Sequence, residues 1–441
     1  MNIVKNCSCN EFLQQGWLSI KWIMFVRWFY QNHSSMKTIP SLCKKLKDNL
    51  IQLGILGIKL GQYMCNRSDI SSPCMKNELK QLLSQNKIHS MLHTNDILNQ
   101  YDYNDLDIGE IIGSGSMTQV YRCNIKSTGQ DAVLKIKHPE VMFLAREIRV
   151  VKRVIYSLGF IPFFKGKMFR HMDWDEFFNG MEEQLDMNNE IRYMQIYENS
   201  YNSPLQTEIS IPKMIHGTRD FIVMSYCEGK HLYEFSKEDP VYQKAHNLFV
   251  SSMIHMGFIY QFMHGDIHEG NILVKENGDI SIIDFGVCIK LSLEQFMGIE
   301  AISKFEIDPS LENAESVLSS IIHPYTVDNE PLLLAELTKE LYSNYKLGFD
   351  NKVNLLFEWM MQVSQEKNVI IRGNIMTYFM NVILLEGLSP YSESQQISTI
   401  LALSLMRKNE FFMSEGRKPL CEYYDLLIKK TDPELIKKYN L

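Results

Sequence analysis

Hydrophobic positions recur with helical spacing from residue 11 to about residue 100. Polar breaks interrupt them near Asn32 to Pro40 and near Ser68 to Pro73. The first of these helices is aromatic, with Trp17, Trp22, Phe25, Trp28 and Phe29. Lys21 and Arg27 are six residues apart, about 240° around a helix at 3.6 residues per turn, so they form no single polar face. That favours a helix that is buried or faces a partner over one that lies on a membrane surface. From Asp105 the period shortens to two. Asp107–Ile112, Gln119–Ile125 and Asp131–Lys137 read as three strands, with Gly113 and Gly115 in the first turn and Thr128-Gly129 in the second. Helical periodicity returns over Pro139–Leu158 and Trp174–Tyr201. Phe221–Met224 reads as a strand leading into a hinge at Ser225–Gly229. The remainder reads as helical, except for one hairpin around Asn277-Gly278.

This order predicts an α+β, bilobal protein-kinase-like fold: a small sheet-containing N-lobe, a mainly helical C-lobe and an N-terminal helical extension. The expected divisions are 1–104 for the extension, 105–229 for the N-lobe with a helical insertion, and 230–441 for the C-lobe. The chain is long enough for two lobes or more. It is 45% hydrophobic and 22% charged, as folded proteins are. Its net charge of -7 shows no basic stripe, which argues against a nucleic-acid partner. Nine cysteines without a C-x-x-C pair point to free thiols in a reducing intracellular compartment rather than a zinc site or disulfide framework. No transmembrane segment, secretory signal or transit peptide is expected, which suggests a cytoplasmic or peripheral-membrane protein.

The chemistry concentrates in His264-Gly265-Asp266-Ile267-His268-Glu269-Gly270-Asn271 and in Asp284-Phe285-Gly286. An Asp, an Asn five positions on, a hairpin and a second Asp follow the order that phosphoryl transfer needs: a base, then two hard-oxygen metal ligands. Asp266 is the candidate base, and Asn271 and Asp284 the candidate magnesium ligands. The turn Gly113-Ser114-Gly115-Ser116 with Val120 suits close approach of backbone N–H groups to phosphates. Ala132-Val133-Leu134-Lys135 approximates the V-A-I-K strand, whose Lys pairs the α- and β-phosphates. Met224 and Cys227, at the strand end and hinge, complete the candidate nucleotide-binding set. The Glu partner of Lys135 is Glu147 or Glu190 on spacing alone. Gly265 stands where ordinary kinases carry Arg, and no A-P-E follows Asp284, so a conventional protein kinase ranks last.

Ile58-Lys59-Leu60-Gly61-Gln62, followed by Arg67 and Asp69, resembles the K-x-G-Q signature of the UbiB family of atypical kinase-like proteins. That family is associated with coenzyme Q biosynthesis and lipid homeostasis, and the resemblance runs from about Leu50 to at least Leu388. Asp186 to Glu190 is similar to the family's D-x-x-x-E, which selects Glu190 over Glu147 as the partner of Lys135. Three departures stand out: Gln184 where the family has Glu, Glu269 where it has Pro, and a glycine loop where it has an Ala-rich one. The resemblance implies an ATP- or ADP-binding, magnesium-dependent kinase or ATPase. In it, Lys59 and Gln62 reach the site from the extension and restrict the acceptor. The implied partners are a lipid or membrane surface and a quinone-biosynthesis-like complex. Two alternatives are a small-molecule phosphotransferase of the aminoglycoside/choline-kinase kind and a non-catalytic nucleotide-binding scaffold.

Overall fold

The structure is a computed structural model. It describes residues 2–37, 39–66, 71–82, 88–159, 174–201, 208–260, 262–266, 268–290, 301, 305, 308–322, 331–345, 353–367, 369 and 371–372. The chain divides into two compact units, 1–191 with 214–226, and 192–213 with 227–441.

The first unit opens with helices α1 (Asn2–Asn32), α2 (Pro40–Gln52), α3 (Ile55–Asn66), α4 (Pro73–Leu79) and α5 (Met91–Gln100). Pro40 and Pro73 start α2 and α4, where a missing N–H costs nothing. The Ser72 hydroxyl caps α4 through the Met75 N–H at 3.4 Å. Helix α1 divides its aromatic content. Trp22, Phe25 and Val26 are buried, whereas Trp17, Ile20, Ile23 and Met24 are exposed. The buried face joins a core with Leu46, Leu50, Leu60 and Met64, and with Phe177 and Phe178 of α7 (Trp174–Gln184). Helix α6 (Leu144–Gly159) adds Leu144, Ile148, Val151 and Ile155, a stripe at spacings of three and four.

A five-stranded antiparallel sheet follows, built from β1 (Leu106–Ser114), β2 (Thr118–Ile125), β3 (Asp131–Lys137), β5 (Met214–Gly217) and β6 (Phe221–Ser225) in the order β1-β2-β3-β6-β5. Tyr121, Leu134, Ile136, Phe221 and Val223 close its core with Ile97 and Leu98 of α5. Helix α8 (Met187–Tyr201) contributes its first residues, to Ile191, to this unit.

The second unit holds β4 (Ile209–Ser210), β7 (Lys230–His231), helix α9 (Pro240–Tyr260), β8 (Phe262–His264), β9 (Ile272–Val274), β10 (Ile280–Ile282) and β11 (Cys288–Lys290). They form one sheet of order β4-β10-β9-β7 and a pair β11-β8. The β9–β10 turn takes Gly278 at φ +82, the left-handed conformation that an Asn-Gly hairpin supplies. Helices α10 (Leu311–Ile321), α11 (Pro331–Asn344) and α12 (Val353–Lys367) share a further core with Trp359. Outside the expected hairpin the sequence reading had only helix here. Strands β7, β8 and β11 correct it, each being two or three residues held by pairing rather than by a period of its own, and β4 falls where no element was expected. Among the described residues no helix is long and apolar enough to cross a membrane.

Candidate active site

In the first unit, Gly113, Val120 and Lys135 lie in one row across β1, β2 and β3. The turn that follows Gly113 is closed by Gly115 N–H donating to Thr118 O at 2.8 Å. A Cβ on Gly113 would come no nearer than 3.7 Å to Val120, and one on Gly115 no nearer than 3.9 Å to Thr118 O. Neither glycine is therefore required by internal packing or by a positive φ. What their missing side chains leave is space in front of the backbone, which is what a phosphate group needs. Ser114 and Ser116 are half-buried in the same turn.

Lys135 Nζ donates to Glu190 Oε1 at 2.6 Å, with the side chains 5% and 9% exposed. Asp186 Oδ1 accepts from Asn188 N–H at 3.0 Å and its carbonyl from Asn189 N–H at 2.9 Å, so Asp186 caps the helix that presents Glu190. Glu147 lies on α6, and its carboxyl is pushed up by burial, with Lys21 as the opposing charge. Met224 is buried on β6, in register with Val133.

In the extension, Lys59 donates to Gln184 Oε1 at 3.1 Å and Gln62 Nε2 to Leu82 O at 3.0 Å. Between them a Cβ on Gly61 would stand 2.4 Å from Leu82 Cδ1 and 3.1 Å from Leu50 Cδ1, so a side chain there would force these leucine tips to shift. Arg67 and Asp69 lie outside the described residues.

The second unit carries the carboxylates. His264 on β8 is 1% exposed. Its Nδ1 lies 3.2 Å from the Asp266 N–H and its Nε2 2.6 Å from the Asp284 carbonyl oxygen. The N–H can only donate and the carbonyl only accept, so the ring is neutral with its proton on Nε2. Burial, which lowers its basicity against the nearby carboxylates, agrees. Asn271 Nδ2 donates to Asp266 O at 2.9 Å, which leaves Oδ1 as the atom able to face a cation. Asp284 sits at φ +62, a conformation that Asp tolerates better than most residues, and its Oδ1 accepts from Gly286 N–H at 3.0 Å.

Burial alone would raise Asp266. The hydrogen bond and charge of His268, 3.5 Å away, outweigh it and hold the carboxyl below its ordinary value. The same contact raises His268. Gly265 has its own reason. A Cβ there would stand 2.9 Å from Val287 Cγ1, on the side where Gly265 N–H donates to Val287 O at 2.8 Å. An Arg would disturb the β8–β11 pair. Cys227 is half-buried in the hinge, its thiol raised by burial and lowered in part by a hydrogen bond with Ser281.

Sequence reasoning missed several contacts. Glu269 accepts from the buried Tyr242 hydroxyl at 2.9 Å, so a hydrogen bond to α9 holds the loop here. A second buried ion pair joins Lys137 Nζ to Asp220 Oδ1 at 2.9 Å, and Tyr101 donates to the other oxygen at 2.6 Å. A histidine pair, His89 and His138, meets at 2.8 Å beside the turn 114–117. The Asp-Asn-Asp order drew attention to the loop, but no spacing signal marks these longer-range partners.

Residues 103–299 match the ABC1 atypical kinase-like domain. The chain is 25% identical over 238 residues to the probable serine/threonine-protein kinase abkC of Dictyostelium discoideum, covering 51% of this chain and 34% of that protein. It is 25% identical over 272 residues to the ABC1 family protein YPL109C, mitochondrial, of Saccharomyces cerevisiae, covering 53% and 40%. It is 23% identical over 279 residues to the probable protein kinase UbiB of Cronobacter sakazakii, covering 58% and 48%. In each case the match spans less than half the length of the relative.

Proposed function

The chain belongs to the UbiB/ABC1 family of atypical kinases, with a kinase-like α+β fold, and from that premise we propose that it is a magnesium- and ATP-dependent phosphotransferase or ATPase acting in lipid or quinone (coenzyme Q) metabolism. The observation that carries the reading is the buried Lys135–Glu190 pair at 2.6 Å beside a glycine turn with space for a ligand. A buried ion pair contributes little net stability compared with apolar residues of the same volume. Its chemistry is that of a cation held in one orientation, which is what neutralising α- and β-phosphates requires.

Asn271 and Asp284 supply hard oxygens that would hold magnesium. Magnesium bound there would neutralise charge on the transferring phosphoryl group. Asp266, kept ionised by His268, orients the acceptor hydroxyl or water and takes its proton. Neutral His264 links the Asp266 backbone to the Asp284 backbone, so the base and the metal ligand share one anchor. Lys59 and Gln62 narrow the choice of acceptor from the extension. ADP would fill the same phosphate contacts. A lipid surface or a quinone-biosynthesis-like complex is the proposed partner, and nucleic acid is not.

ATP hydrolysis measured with and without liposomes and quinone-precursor-like phenols tests this reading in the full chain. Turnover should require magnesium, respond to lipid or phenol, and disappear in Asp284→Asn. Turnover unchanged in Asp284→Asn would refute it. Nucleotide binding without turnover under any lipid condition would favour a scaffold.

A further inference from the structure

A buried polar network ties the turn 114–117 to the segment ahead of α5. His138 Nε2 lies 3.1 Å from the Gly115 carbonyl oxygen and 3.4 Å from Ser114 Oγ, and the His138 N–H donates to Met117 O at 2.9 Å. A carbonyl only accepts, so Nε2 carries the proton and Nδ1 of the neutral ring accepts. His89 Nδ1 is 2.8 Å from that atom, so His89 donates from Nδ1 and accepts at Nε2, which lies 3.0 Å from Thr94 Oγ1. The Thr94 oxygen in turn takes the Tyr121 hydroxyl proton at 3.0 Å. The Tyr121 oxygen accepts from Gln119 Nε2, and Gln119 Oε1 accepts the His89 backbone N–H at 2.8 Å. Gln119 Nε2 also faces His89 O at 3.4 Å.

With neutral rings, one set of proton positions satisfies the run from Gln119 through Tyr121, Thr94, His89 and His138, each of these bonds donated toward the Gly115 carbonyl. Thr94, Gln119, Tyr121 and His138 are at most 1% exposed and His89 is 9% exposed, so an unmade bond would have no water to replace it. Gly113 and Gly115 have no side chains to fix the turn, and Met117 anchors its end in the core.

We propose that His138, oriented by His89, is a positioning residue that holds the turn 114–117 in its ligand-ready shape. The hold on the turn stands on the contacts above; its use in nucleotide binding rests on the function proposed here.

Hydrogen exchange of the amides of residues 113–118, measured without nucleotide in the full chain, tests the hold. Amides of β3 serve as the internal check that the sheet is folded. Exchange in the turn should rise at least about tenfold in His138→Ala and in Thr94→Val, which removes the hydroxyl that faces His89. His138→Gln, with an amide N–H at the Nε2 position, should recover most of the protection. If His138→Ala fails to fold, Thr94→Val and His138→Gln carry the comparison. Unchanged turn exchange over a folded sheet overturns the proposal, and so does equal loss in His138→Gln and His138→Ala, which would mean packing alone. Titration with magnesium-ATP then separates the two readings. Affinity lower by about tenfold in His138→Ala, partly recovered in His138→Gln, supports the nucleotide role, whereas loosened exchange with unchanged affinity overturns the ligand-ready shape. If the wild type binds no ATP, the proposed function falls and the exchange data still decide the hold.

Discussion

Lys59 donates to Gln184 Oε1 at 3.1 Å although the two residues are 125 positions apart. This contact ties the K-x-G-Q helix α3 to the end of α7, next to the residue that caps α8. Its acceptor is neutral. Gln184→Glu should convert it into a half-buried ion pair and add about 1 kcal/mol to the stability of the first unit. Denaturant unfolding of the wild type, Gln184→Glu, Lys59→Ala and the double variant checks this. The gain should vanish when Lys59 is absent; an equal gain without Lys59 would mean that it comes from elsewhere.

Gly61 packs against the tips of Leu82 and Leu50. Gly61→Ala would press a methyl to 2.4 Å from Leu82 Cδ1, and the expected loss is about 1–3 kcal/mol of stability. Leu82→Ala in the same chain makes room and should make the glycine substitution less costly than it is in the wild type. Differential scanning calorimetry of the four proteins reads the coupling; strict additivity would contradict it.

The Lys135–Glu190 pair predicts a separation of stability from binding. Lys135→Met leaves Glu190 buried without this cation and should cost about 3–5 kcal/mol. Replacing both, as Lys135→Met with Glu190→Leu, should recover much of that stability while leaving ATP affinity as low as in the single variant. Unfolding midpoints and ATP titrations of the same samples supply both readouts.

His89 makes the first unit sensitive to acid. Burial, then the neighbouring His138 and His93, lower it from 6.5 to about 4, with Glu140 opposing. The unfolded chain takes up a proton below 6.5 and the folded chain does not until about 4. Stability is therefore complete above 6.5 and falls as the pH drops from 6.5 to 4, by on the order of 3 kcal/mol. Thermal unfolding at several pH values across that window should show the loss. His89→Gln should flatten it, and an unchanged pH slope in that variant would assign it to another group.

The strong periods of the chain translate directly into elements. Strands β1 to β3 and helices α6 to α8 lie within a few residues of where alternation and helical spacing put them, because each has enough residues to display a period. Strands β7, β8 and β11 have two or three residues each and exist through their partners, so their composition alone could not reveal them. That Asp266, Asn271 and Asp284 lie near one another was legible because they flank one hairpin. Lys137 with Asp220, His89 with His138 and Tyr242 with Glu269 were not, because those partners are 83, 49 and 27 positions apart and each residue type is common on surfaces. Gly61 and Gly265 read as motif letters; the structure gives each a packing reason.

Lys135, held by Glu190, is proposed as the cation that meets the nucleotide phosphates, and the Asn271 and Asp284 oxygens are proposed as magnesium ligands. Calorimetric titration of ATP with and without magnesium, using the wild type, Lys135→Met and Asp284→Asn, tests this most directly. The account predicts magnesium-dependent binding in the wild type, weaker binding in Lys135→Met at every magnesium concentration, and loss of the magnesium dependence in Asp284→Asn. Wild-type affinity and full magnesium dependence in both variants would contradict it.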